Sequence, residues 1–224
     1  MYPRNLVDPR PSVLSINIGA ARPTEYSRPG YTGIDKRPQD GSVTVSAPIG
    51  ASDSGVGGDV ICDVRHHGGP DQAVYAYARE DLDWWQGELA RDVRSGMFGE
   101  NLTTVGLDVT NAVIGERWRV GDGPLLEVSQ PRIPCRTFAG WLDEHGWIKT
   151  FTERARPGTY LRVIEPGSIS KGDAIVVLDR PKHGVTVGVA FRALTREPGL
   201  LPQLVDVEAL PEHARERARR HVAA

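Results

Sequence analysis

The residues with the greatest chemical potential gather in three short runs. Cys135 ends Gln130-Pro131-Arg132-Ile133-Pro134-Cys135, where two prolines restrict the backbone and Arg132 and Arg136 flank the sulfur. Positive charge favours a thiolate, the form that ligates soft metals or attacks as a nucleophile. Arg65-His66-His67-Gly68-Gly69-Pro70-Asp71 places two histidines beside a pair of glycines. Backbone amides in such a loop can form an anion nest that Arg65 and a histidine would complete, although Gly-Gly-Pro-Asp is also ordinary turn chemistry. In Met97-Phe98-Gly99-Glu100-Asn101-Leu102, a carboxylate and a carboxamide could address the edge of a heterocycle, or simply serve a turn. Cys62, inside Val60-Ile61-Cys62-Asp63-Val64, reads instead as a small apolar residue in a strand.

The elements that must position these runs are mainly strands. Short β-branched stretches recur at 13–18, 42–46, 60–64, 73–77, 117–120, 125–129, 160–164 and 174–178 between glycine and proline breaks. Gly121-Asp122-Gly123-Pro124 predicts a hairpin. Such spacing points to a barrel or sandwich, not a doubly wound sheet. Leu82, Trp85, Leu89 and Val93 mark one face of a helix over 80–93, with Trp84 and Trp85 read as core, and a second helix begins near Arg136. From Val185 the pattern changes to short helices ending in an arginine-rich, solvated face. The expected division is therefore 1–184 for the β domain and 185–224 for a small helical region.

Composition narrows the function classes. The chain has two cysteines among 224 residues and no Cys-x-x-Cys or zinc-spaced cluster, so a zinc finger or thioredoxin-type centre is not expected. A formal charge of −2 without a basic block argues against nucleic-acid binding. No run is apolar enough to span a bilayer, and Met1 to Pro11 lacks the pattern of a signal peptide, so a cytoplasmic location is expected.

Taken together, His67-Gly68-Gly69-Pro70-Asp71-Gln72-Ala73-Val74-Tyr75, Phe98-Gly99-Glu100-Asn101-Leu102 and Ser129 to Cys135 resemble the MOSC domain family in content and order. Thr32-Gly33-Ile34-Asp35-Lys36-Arg37-Pro38 and Gly58-Asp59 extend the resemblance, which covers roughly residues 12–180 and is strongest to the stand-alone bacterial YiiM-type branch, with its short three-helix C-terminal region. The resemblance implies a MOSC-type β-barrel with a few peripheral helices, binding of molybdenum cofactor (Mo-molybdopterin), and Cys135 as the metal ligand. Arg65, His67, Gly68 and Gly69 would border the pocket, with Lys36 and Arg132 at the pterin phosphate and Asn101 at the pterin edge.

The resemblance also implies reduction of small N-hydroxylated compounds such as 6-N-hydroxylaminopurine, with Cys135 as the catalytic residue it carries over; His67 is added as a catalytic candidate on its chemistry. An unperturbed histidine pKa of about 6.5 would suit His67 as proton donor. Electrons would come from a separate reductase, because the chain has neither an iron–sulfur cysteine pattern nor a Gly-x-Gly-x-x-Gly fingerprint. Two alternatives use the same cysteine: a noncatalytic cofactor carrier, and sulfur transfer through a Cys135 persulfide. Pyridoxal phosphate chemistry is not expected, since no lysine context marks a Schiff base. The sequence does not fix the oligomeric state.

Overall fold

The structure, a computed structural model, describes residues 10–50 and 53–223; the N-terminal residues bearing on the leader-sequence expectation lie outside these. Among the described residues twelve strands are present: β1 (Ser12–Gly19), β2 (Arg22–Pro23), β3 (Tyr31–Thr32), β4 (Lys36–Pro38), β5 (Val43–Val45), β6 (Val74–Ala78), β7 (Leu102–Val105), β8 (Arg117–Val120), β9 (Leu125–Pro131), β10 (Thr159–Glu165), β11 (Gly167–Ile169) and β12 (Ile175–Asp179). The helices are α1 (Arg79–Leu89), α2 (Arg136–Leu142), α3 (Trp147–Arg154), α4 (Val187–Thr195) and α5 (Glu212–Val222), with 3-10 helices at Pro70–Gln72 and Pro198–Leu204.

Eight strands form one sheet in the order β12-β8-β9-β10-β6-β7-β1-β4, antiparallel except for the parallel β6–β7 pair. Alternation along β6 explains its burial on both faces. Val74, Ala76 and Ala78 enter an aliphatic core with Ile16, Trp118 and Leu161, while Tyr75 and Tyr77 enter an aromatic core with Trp85, Phe98, Phe138, Trp147 and Phe151. The mainly β reading holds, but the sheet does not close into a barrel ladder among the described residues. A single bridge, Ser12 to Ala174, curls β1 towards the start of β12, and β4 and β12 remain the ends of the ladder order.

Two local expectations are corrected. Residues 60–64 form no strand, because Asp63 organises a turn: its carbonyl accepts from the His66 and His67 amides at 3.2 and 3.0 Å, and its carboxylate contacts His66 Nδ1 at 3.1 Å. Cys62 is consequently a partly buried loop residue, not a core strand residue. Helix α1 stops at Leu89, where Ala90 turns left-handed at φ 48°, so Val93 packs in the aromatic core from outside the helix. The C-terminal helices share the aliphatic core through Val187, Ala190, Leu201, Leu204 and Ala218. Among the described residues no helix is long and apolar enough to cross a membrane.

Candidate functional site

One cavity collects residues from several distant segments. Strand β9 runs into Arg132 and Pro134, and Cys135 stands at the N-cap of α2 in an extended conformation. The Trp141 indole of α2 donates to the Met97 carbonyl at 2.8 Å, and Arg132 donates to the Phe98 carbonyl at 3.0 Å. These bonds join the Cys135 segment to the Gly96–Asn101 loop. Gly99 must remain small there: it adopts φ +81°, and a Cβ would lie 3.2 Å from the Arg132 guanidinium.

Cys135, His67, Gly68, Lys36, Asn101 and Arg132 all line this cavity, as does the unanticipated Cys62. Arg65 and Gly69 do not: Arg65 is exposed, and Gly69 is buried at the start of the 3-10 helix with φ 80°. The two residues proposed for the edge of a heterocycle are held by the fold. Glu100 is fully buried and accepts from the Gly96 and Phe98 amides and from Thr103. Asn101 donates to Asp59 Oδ2 at 3.0 Å and to the Asn17 carbonyl at 3.3 Å, and accepts from the Tyr75 amide at 3.2 Å.

Asp59 is the hub of one wall. It accepts from the Lys36 ammonium, the Gly19 amide at 2.8 Å, Ser54 Oγ at 2.9 Å and Asn101. Burial draws the Lys36 pKa below the usual lysine value, against the opposing pull of Asp59.

Arg132 is different, because no carboxylate pairs with it among the described residues. It is 4 % exposed, forms no ion pair with an acid among the described residues, and lies 4.5 Å from the Phe138 ring and 5.1 Å from that of Tyr75. Its Nε is sealed without a partner among the described residues. A permanently charged guanidinium in this state favours an anion in the cavity.

That charge also acts on His67. Burial first, and Arg132 second, lower its pKa to about 4, so His67 is neutral at neutral pH instead of poised near 6.5. Its Nδ1 lies 3.4 Å from the Tyr160 hydroxyl, a contact absent from the sequence reading because Tyr160 falls in an ordinary strand pattern. No group of three or more histidine, cysteine, aspartate or glutamate side chains among the described residues is arranged to hold a metal ion. The cavity thus offers two thiols and cationic donors, a set that suits an anionic group bringing its own metal ligands.

The family model for the MOSC domain matches residues 63–176. The chain belongs to the MOSC domain family. Protein YflK of Bacillus subtilis, described as uncharacterized, is 36 % identical over 184 residues, covering 82 % of this chain and 80 % of YflK. A protein named reductase from Gibberella moniliformis is 34 % identical over 178 residues, covering 77 % of this chain but 30 % of that protein. The crystal structure of YiiM from Geobacillus stearothermophilus aligns with TM-score 0.76 at 26 % identity, covering 95 % of this chain and 99 % of that one. In this MOSC chain the family match contains Cys135, Arg132 and His67, whereas Lys36 and Cys62, which line the same cavity, precede it.

Proposed function

We propose that this chain is a molybdenum-cofactor-dependent reductase of small N-hydroxylated compounds. The carrying observation is the shared cavity of Cys135 and the buried cation Arg132, which has no ion-pair partner among the described residues. Cys135 would hold the metal through its thiolate, and Arg132 with Lys36 would hold the cofactor's phosphate. When bound, the cofactor supplies two-electron redox chemistry, matching R–NH–OH + 2e⁻ + 2H⁺ → R–NH₂ + H₂O. The protein's own contribution is to orient the N–O bond in a partly enclosed site and to move protons.

While the cavity is cationic His67 stays neutral, so at neutral pH it carries no imidazolium proton to deliver. A bound anion offsets Arg132 and raises the His67 pKa towards the working range, which makes proton delivery conditional on a loaded site. Tyr160 adjoins its Nδ1 and connects it to the aromatic wall. The reductase name of the longer Gibberella relative supports redox chemistry, and electrons would reach this chain from a separate reductase. Cys135 is partly buried within a cavity, which favours turnover over surface handover of cofactor.

The test is molybdenum content and 6-N-hydroxylaminopurine reduction, with an artificial electron donor, for wild type and Cys135→Ala produced in a cofactor-competent host. Joint loss of metal and activity in the variant is the expected result. Bound cofactor without turnover in the wild type supports a carrier, labile sulfur on Cys135 without molybdenum supports sulfur transfer, and absence of both rejects all three uses of Cys135.

A further inference from the structure

Gln72 ends the 3-10 helix Pro70–Gln72 and lines the same cavity as Cys135 and His67. Its backbone is satisfied, since its amide donates to the Gly69 carbonyl at 3.0 Å. Its side chain is not: Oε1 is sealed from solvent and has no hydrogen-bond partner among the described residues. The cavity's other carboxamide, Asn101, has both donors and its acceptor engaged by Asp59, Asn17 and Tyr75. Gln72 is therefore the carboxamide with acceptor capacity left for a ligand.

A sealed acceptor destabilises a fold unless something donates to it. Methionine or leucine would fill a similar volume without that cost, so retention of an amide here fits a ligand contact. Three residues on, Tyr75 stands in register with Tyr160, their rings 5.1 Å apart, and the Arg132 guanidinium lies over Tyr75. The adjoining wall is thus aromatic and cationic: the guanidinium accepts nothing, the Tyr75 hydroxyl is engaged at the Pro157 carbonyl, and the Tyr160 hydroxyl lies beside His67 Nδ1.

Resting on the function proposed above, we infer that the Gln72 side chain turns its unsatisfied Oε1 into the cavity to accept the N–H of an N-monosubstituted hydroxylamine, R–NH–OH, and selects such substrates over tertiary N-oxides. A tertiary N-oxide has no hydrogen on nitrogen, so it leaves Oε1 without its donor. The contact fixes the rotation of the N–O bond without taking part in bond breaking. Gln72 is accordingly a specificity and positioning residue.

The experiment compares wild type and Gln72→Met, loaded with cofactor, on N-phenylhydroxylamine and N,N-dimethylaniline N-oxide. The ratio of the two kcat/KM values should fall about tenfold in the variant, the effect of one hydrogen bond, while molybdenum per chain stays equal. Without cofactor, Gln72→Met should melt a few degrees higher, about 2–4 °C, because an unsatisfied acceptor has been removed. An unchanged selectivity ratio overturns the inference, and loss of molybdenum does so too by assigning the contact to the cofactor. If molybdenum-loaded wild type reduces neither compound, the parent function fails, and calorimetric binding of N-phenylhydroxylamine to both loaded proteins decides Gln72 separately: about tenfold weaker binding in the variant upholds the contact, and equal affinity overturns it.

Discussion

The Lys36 ammonium donates to Asp59 Oδ1 with the two side chains 7 % and 0 % exposed, forming a buried ion pair on the wall of the cavity. Asp59 also holds Ser54, Asn101 and the Gly19 amide, so this carboxylate fixes β1, the β4 edge and the loop before β7 together. Removing one member of such a pair leaves an uncompensated buried charge. Asp59→Ala should therefore destabilise the protein by about 3–5 kcal/mol. In chemical denaturation, the double variant Lys36→Met/Asp59→Ala should be less destabilised than Asp59→Ala alone. Equal midpoints would remove the ion pair from the account of this wall.

His67 gives the site a definite pH dependence. Its folded pKa, about 4, lies below an unfolded value near 6.5, so the unfolded chain binds the extra proton between those limits. The stability associated with neutral His67 is present above pH 6.5 and is lost as pH falls towards 4, by about 3 kcal/mol at the lower end. His67→Asn should flatten this part of the stability–pH curve. Sulfate, whose charge is constant over this range, should bind more tightly at pH 5 than at pH 7 because it favours protonated His67, and His67→Asn should abolish most of the difference. A parallel pH dependence in both proteins would assign the titration elsewhere.

Much of the sheet was legible because its signal is local. Residues 117–120, 125–129 and 160–164 show the β-branched and punctuated pattern that became β8, β9 and β10, and Arg136 does begin α2. Residues 60–64 share that composition, but the Asp63 side chain and carbonyl capture the local amides and divert the chain into a turn. This diversion brings Cys62 to the cavity, something no local pattern announces. Cys135, His67, Lys36, Asn101 and Arg132 were legible as candidates, yet the engagement of Asn101 and the lack of an ion-pair partner for Arg132 among the described residues depend on contacts between segments far apart in sequence. Tyr160 was hidden for the same reason: strand alternation places its ring, whereas its meeting with His67 is tertiary.

The corrected position of Cys62 has a measurable consequence. A cysteine inside a central strand would leave a packing defect on truncation, but a partly buried loop cysteine leaves little. Cys62→Ala should shift stability by less than about 0.5 kcal/mol. A loss above about 2 kcal/mol would restore a core role. Burial raises its thiol pKa despite nearby Lys36, so alkylation of Cys62 by a small neutral reagent should accelerate with pH through the alkaline range.

The hairpin of β2 and β3 covers the side of the cavity next to α2, and Gly140 sets how closely it sits. A Cβ at Gly140 would fall 2.1 Å from the Tyr26 ring, while Thr137 donates to the Tyr26 carbonyl at 3.3 Å. Ser27, Tyr31 and Thr32 of this hairpin line the cavity, so their seating shapes its mouth. Alanine has the higher helix propensity by about 1 kcal/mol, but Gly140→Ala forces Tyr26 outward and offsets that gain. The expected result is little net change in melting temperature, together with faster hydrogen exchange over residues 22–32 and weaker anion retention. Unaltered exchange in the hairpin would mean that the Tyr26 ring swings away alone and that the hairpin's position does not depend on Gly140.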